Sequence, residues 1–306
     1  MKKLLIILCL FSTLFQDSPA QQARQTLFLY PTAPDYMTDF RQRANYTTLH
    51  FWDNCNLKSA FSSRARLKDA FEDFISIAVH AAPDTTYASV NNLIGAVRKM
   101  PANMLTLGEI AEETLLSDTA QIYSEELYVP FAKAVAETKK IPSANRLRFE
   151  RRARILGGTQ IGMVAPDFSF IKPDGTKGKL SDGLTKRVIL FFNDPDCDDC
   201  RMTLVRLSAD YNLKQLIEKN YLNVFSIYPS SPDDQWREAA ASYPSEWIIG
   251  AAEDVDELYD LTTSPTILYL DPNGKILSKT IDKDRLIDML RLLNMNVADK
   301  KTKSAQ

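Results

Sequence analysis

The sequence predicts an α/β protein in two parts, a mostly α-helical region followed by a domain with a central mixed sheet flanked by helices. Residues 24–155 repeat apolar side chains at helical spacing. Past Gly157-Gly158 the pattern changes to short apolar runs separated by Gly, Pro and Asp turns. Residues 188–192 are a continuous apolar run, as expected of a strand buried on both faces, and residues 223–228 are read as a second buried strand.

The chain opens with an expected export leader, residues 1–20. Lys2 and Lys3 precede an apolar run over residues 4–15, and Ser18-Pro19-Ala20 supplies small residues for cleavage near Ala20. The run is too short to span a bilayer as a stable helix. The expectation is therefore an exported protein of the bacterial periplasm. The chain has 37 basic and 39 acidic residues, a near balance that provides no electrostatic footprint for nucleic acid. Cys9 leaves with the leader, so Cys55, Cys197 and Cys200 remain. Three cysteines are too few for a disulfide scaffold, and a chain this long needs none.

Within the helical part, residues 62–81 place Leu67, Phe71, Phe74, Ile75 and Ala78 on one face. Asp84 is expected to cap a second helix that turns Val90, Leu93, Ile94 and Val97 inward. Further helices are expected over residues 102–116 and 121–139, with Pro101 and Pro142 as breakers. A last helix from Ser143 carries Arg146, Arg148, Arg151, Arg152 and Arg154 and stops at the glycine pair. Its arginines are expected to form a solvated face with cations near the helix C-terminus.

The second part begins with the alternating segment 165–170, turns at Pro173-Asp174-Gly175, and opens a new strand at Leu180-Ser181-Asp182. Strand 188–192 leads into one helix over residues 198–219, followed by strand 223–228. A helix over 233–241 and a strand over 247–251 come next. Strand 266–270, the turn Asp271-Pro272-Asn273-Gly274 and strand 275–281 form a hairpin. A helix over 284–293 closes the domain. The expected divisions are a helical domain at 24–155, a sheet domain at 159–295 and a flexible tail at 296–306.

Cys197 and Cys200 stand three apart where a buried strand meets a helix. Unsatisfied N–H groups of the first helical turn stabilise a thiolate at Cys197. Cys200 lies one turn on, within reach of a mixed disulfide formed at Cys197. The expected roles are nucleophile for Cys197 and resolving thiol for Cys200, the pair forming a redox-active disulfide. A zinc half-site competes with this reading but has no second Cys-x-x-Cys, and both histidines, His50 and His80, lie in the other domain. A structural disulfide competes too, although so short a loop offers little closure entropy. No cofactor and no metal are expected. Cys55, set among aromatic residues and leucines, is expected to be a small buried hydrophobe.

The segments Gly162-Met163-Val164-Ala165-Pro166-Asp167-Phe168, Leu180-Ser181-Asp182, Cys197-x-x-Cys200 and Ser264-Pro265-Thr266 together resemble the TlpA/ResA-like branch of the thioredoxin superfamily, periplasmic thiol–disulfide oxidoreductases. The resemblance implies that Pro265 is a cis-proline facing the dithiol and that Ser264 pairs with substrate backbone. It also implies protein thiol and disulfide substrates and an upstream membrane or periplasmic electron donor. The segments His50-Phe51-Trp52-Asp53-Asn54 and Ser124-Glu125-Glu126-Leu127-Tyr128 resemble a helical domain of unknown function found ahead of thioredoxin domains in exported Bacteroidetes-type proteins.

Three positions depart from that pattern. Asp196 replaces the usual Trp, Thr203 stands where some members have a relay Glu, and Phe191 stands where thioredoxin has a buried Asp. Asp194, Asp196, Asp198 and Asp199 crowd Cys197, and like charge raises a thiol pKa. The expectation is a Cys197 closer to a free thiol, about 8.5, than to the superfamily's strong oxidant, about 3.5. Exchange is thus expected to run as reduction or isomerisation. The alternative is a redox-inert envelope binding or assembly module whose helical domain recognises a partner.

Overall fold

The computed structural model describes residues 26–117, 119–279 and 281–304, with side chains through residue 297. The expected leader lies outside the described residues. The first half folds as α1 (Phe40–His50), α2 (Leu57–Ala60), α3 (Arg64–Ala78), α4 (Pro83–Val97), α5 (Pro101–Leu115), α6 (Glu125–Glu137) and α7 (Ser143–Gly158). Pro83 and Pro101 each start a helix, where the missing N–H is no loss and the fixed φ fits. Asp84 therefore sits inside the first turn of α4 instead of capping it, and Pro101 stands at the break between α4 and α5 as the first residue of the latter. Apolar stripes from α3 to α7 converge on Phe71, Phe74, Phe131 and Phe149, all fully buried. Cys55 is half-buried against this core, and burial pushes its thiol up to about 11.

The second half comprises β1 (Ser169–Ile171), β2 (Lys177–Lys179), β3 (Arg187–Phe192), α8 (Asp198–Ala209), α9 (Tyr211–Glu218) and β4 (Leu222–Tyr228). It continues with α10 (Asp234–Ala240), β5 (Ile248–Ala251), β6 (Thr266–Leu270), β7 (Ile276–Lys279) and α11 (Lys283–Ser304). The strands form one seven-stranded sheet in the order β2-β1-β5-β4-β3-β6-β7. β3, β4 and β5 run parallel, while β6 pairs antiparallel with β3. Alternation along β3 divides the core in two. Ile189 and Phe191 face Leu207, Leu213, Leu216, Leu286 and Leu290 of α8, α9 and α11. Val188, Leu190 and Phe192 face Phe168, Leu180 and Tyr259.

Three expected elements take a different form. Residues Leu180–Gly183 make a 3₁₀ turn and not a strand, because carboxylates satisfy their backbone: Asp182 accepts from the Lys179 amide and Asp167 from the Ser181 amide, each at 2.9 Å. The single helix expected at 198–219 is two. Asp210 adopts an extended conformation at the end of α8 and caps α9 by accepting from the Leu213 amide at 2.7 Å. The closing helix continues past residue 295 into the stretch expected to be a flexible tail. Residues 294–304 contain neither Gly nor Pro to stop it, and Val297 is buried with the α8–α9 face.

Arg148, Arg151 and Arg154 of α7 stay about half exposed but are paired with acids. Arg148 and Arg152 bind Glu112 of α5 at 2.6 and 3.2 Å. Arg151 reaches into the second half, binding Glu257 at 2.8 Å and Asp256 at 2.9 Å, and Arg154 joins it on Glu257. Arg152 also binds Asp260 at 3.4 Å, and a buried Lys279–Glu125 pair closes the contact between the halves. The apparent surplus of positive charge matches acids from 36 to more than a hundred residues away, beyond the reach of local pattern reading.

Phe170 of β1 lies across two glycines. A Cβ at Gly250 of β5 would sit 2.3 Å from its Cδ2 and 3.0 Å from its Cβ, and one at Gly178 of β2 would sit 2.6 Å from Cζ. The ring cannot retreat from Gly250 without moving the strand. Gly250→Ala is therefore expected to lower the unfolding free energy by about 1–3 kcal/mol, the usual cost of overpacking a filled core. Urea denaturation of the full chain measures it.

Candidate dithiol site

The site is built where β3 ends. Asn193 is buried and bound on all sides. Its amide donates to Ile227 O at 3.0 Å, its Nδ2 to Ser226 Oγ at 2.9 Å, and its Oδ1 accepts from Tyr243 OH at 3.2 Å. This anchor fixes the chain as it leaves the sheet. The next residues turn tightly, with Asp194 Oδ1 accepting from the Asp196 amide at 2.8 Å and Asp194 O from the Cys197 amide at 3.1 Å. Cys197 is thereby delivered in extended conformation to the N-cap of α8.

The cap is the sulfur itself. Cys197 Sγ accepts from the Cys200 amide at 3.1 Å, filling the place that a Ser or Asp oxygen takes in an ordinary cap. Cys197 is half-buried and Cys200 is 2 % exposed, so solvent reaches only the first. Across from them the Ser264–Pro265 bond is cis. Ser264 contacts both sulfurs, its carbonyl 3.7 Å from Cys197 Sγ and its hydroxyl 3.0 Å from Cys200 Sγ. The structure thus brings together all four residues singled out in the sequence: Cys197, Cys200, Ser264 and Pro265.

The two thiols differ electrostatically. Partial burial pushes Cys197 up, but hydrogen bonds from the Cys200 and Ser264 side chains and from the Cys200 and Asp199 amides outweigh it, and the net shift is downward. Burial pushes Cys200 up to about 11, helped by its donation to Cys197. The downward shift arises despite the surrounding aspartates, three of which have partners of their own. Asp194 binds its own turn, Asp196 accepts from Gln235, and Asp198 pairs with Arg201.

Three contributors escaped the sequence reading. Asn193 carried a faint signal, a neutral polar residue directly after a buried apolar run. Tyr243 carried none, since its pairing with Asn193 spans fifty residues. Asp260 was invisible for the same reason. It accepts from Arg152 of α7 through Oδ2 and from the Thr262 amide through Oδ1 at 3.2 Å, tying the helical half to the loop that carries Ser264. Among the described residues, no cluster of three or more His, Cys, Asp or Glu is arranged to hold a metal ion.

Residues 177–293 match the family described as a thioredoxin-like domain. This half of the chain is thioredoxin-like. Residues 13–156 match a domain of unknown function, DUF5106, so the helical half and the thioredoxin-like domain follow one another as the sequence resemblance implied. No functionally curated protein matches the chain. Among solved structures, a thioredoxin-like protein from Bacteroides caccae is 26% identical, with a TM-score of 0.74 over 88% of this chain and 99% of that one. A conserved protein of unknown function from Bacteroides fragilis is 31% identical over 43% of this chain and 98% of its own, with a TM-score of 0.41. The thioredoxin domain of a thiol-disulfide oxidoreductase from Bacteroides vulgatus is 25% identical over 44% and 97%, with a TM-score of 0.38.

The thiol asymmetry has a measurable consequence. In the reduced thioredoxin-like protein, alkylation of Cys197 by iodoacetamide should rise with pH around a midpoint below the ordinary thiol value. Cys200 should react only as pH approaches about 11. Near pH 7, peptide mapping by mass spectrometry should find Cys197 labelled more than about tenfold faster than Cys200. Equal labelling would contradict the asymmetry.

Proposed function

We propose that this protein carries out thiol–disulfide exchange on exported polypeptides, acting as a reductant or isomerase, with Cys197 as nucleophile and Cys200 as resolving thiol. The observation that carries the reading is the juxtaposition of an amide-capped, accessible Cys197 with a buried Cys200, both touching Ser264 of a cis-proline loop. The Cys197 thiolate attacks one sulfur of a substrate disulfide. The substrate S–S bond breaks, a mixed disulfide forms, and the released sulfur takes a proton from solvent. Cys200 then gives its proton to solvent and attacks Cys197 Sγ, releasing the second substrate thiol. Two electrons pass to the substrate and the enzyme is left as the Cys197–Cys200 disulfide. An external dithiol, in the cell an upstream envelope electron donor, restores it.

The reducing direction is supported by what stabilises the thiolate. Strong oxidants of this chemistry gain their low thiol pKa from cations and helix termini together. Here the main stabilisation comes from hydrogen bonds at the helix N-terminus, and the adjacent cation, Arg201, is occupied by Asp198 and Pro195 O. A reduced dithiol without cationic support passes its electrons on more readily. Export is carried by the leader expected at residues 1–20. Among the described residues, no helix is long and apolar enough to cross a membrane.

The test is reduction of insulin disulfides with dithiothreitol as recycling reductant. Wild type should accelerate the reaction, and Cys197→Ser should return it to the uncatalysed rate. Wild type and variant equally inert would sink the exchange reading and leave the helical half as a binding module.

A further inference from the structure

We infer that the cleft between the helical half and the thioredoxin-like domain is a polypeptide-binding groove, and that it seats residues flanking the target disulfide. This inference rests on the exchange function proposed above. The cleft has a volume of about 610 Å³ and both halves line it. That is within the range of built ligand sites, roughly 300–1,000 Å³. Tyr123 and Arg152 contribute from the helical half, Ile161 from the connecting segment, and Thr262, Thr263 and Thr266 from the thioredoxin-like domain.

Three features favour an uncharged, extended chain as occupant. First, the cleft lies beside the redox loop. Thr262 and Thr263 directly precede Ser264, whose carbonyl and hydroxyl contact the two sulfurs. A molecule that reaches both the sulfurs and the cleft must extend well beyond a bare disulfide.

Second, the charges in the walls are already matched. Lys279 pairs with Glu125, Arg152 with Glu112 and Asp260, and Glu126 accepts from Tyr87. An ionic ligand would have to compete with these partners. Among the described residues, the hydroxyls of Thr262 and Thr263 and the side-chain amide of Gln160 have no hydrogen-bond partner, and they lie beside an Ile161 that is 66 % exposed. Neutral donors and acceptors next to an apolar side chain suit backbone amides and neutral side chains.

Third, the groove is held in shape before anything binds. Asp260 fixes the Thr262 amide against Arg152 of α7, and Thr266 Oγ1 donates to Thr263 O at 2.6 Å. The helical half thereby acquires a role, as one wall of a substrate groove.

The test compares two substrates that share the same sulfur chemistry. One is bis(2-hydroxyethyl) disulfide. The other is a peptide with a single internal disulfide and about six residues on either side, each arm roughly 20 Å when extended. Ile161→Trp obstructs the groove from the connecting segment, and Tyr123→Ala removes the facing aromatic ring. Both side chains are more than half exposed, but Tyr123 OH donates to the buried Glu125 at 3.0 Å, so unchanged turnover of the small disulfide by each variant is the control for an intact fold. For each variant, kcat/KM for the peptide relative to that for the small disulfide should fall about tenfold, mainly through KM, the scale of one altered pocket contact. If wild type reduces both substrates and both variants keep the wild-type ratio within about twofold, the groove is overturned while exchange stands. If wild type reduces neither substrate, exchange itself fails and the groove fails with it.

Discussion

Cys197 Sγ accepts the Cys200 amide of its own helix at 3.1 Å, and this cap sets the geometry in which the Cys200 and Ser264 side chains also stabilise its thiolate. A helix begins with N–H groups that have no partner. Most helices satisfy them with an oxygen, as α6 does with Ser124 and α10 with Asp233. Here a sulfur takes the place, and it is a better acceptor as thiolate than as thiol. Capping the helix therefore favours the ionised form of Cys197. The same geometry turns Cys200 inward, where burial holds its proton. One thiol is poised to attack and the other to wait, and the distinction arises from helix geometry with no charged partner.

The rest of the domain keeps that bond in place and gives it something to face. Asn193 pins the end of β3, and the Asp194 turn sets where α8 starts. On the far side, Ser264 is positioned by a loop that is itself tied down, with Thr266 donating to Thr263 O and Asp260 accepting from the Thr262 amide. Through Asp260 the helical half takes part, because Arg152 holds the other carboxylate oxygen. Individually, exposed ion pairs such as Arg151–Glu257 contribute at most about 1 kcal/mol. Their importance is geometric, since together they fix α7 against the segment that leads to Ser264.

Much of this was legible in the sequence because the signals were local. The helical stripes, the buried runs of β3 and β4, the hairpin turn at Asp271–Gly274 and the dithiol at a strand-to-helix junction are each written in a few consecutive residues. Ser264 and Pro265 were legible through resemblance. What escaped was long-range. The partners of the α7 arginines lie elsewhere in the chain, and Gln235, which engages Asp196, lies 39 residues on; the Asp198–Arg201 pair, by contrast, was local. Two misread local elements had a common cause: aspartate side chains at positions 167, 182 and 210 satisfied backbone groups that pattern alone assigned to a strand or to a continuous helix.

The most direct test of a sulfur-capped, directional dithiol is to arrest exchange half-way. A Cys200→Ser variant, expressed with its leader and recovered under acid quench, should carry polypeptides in disulfide linkage. Mass mapping should place that linkage at Cys197. A Cys197→Ser variant treated alike should carry none. Linkage found equally on Cys200 in the second variant, or on neither residue in either variant, would contradict the account.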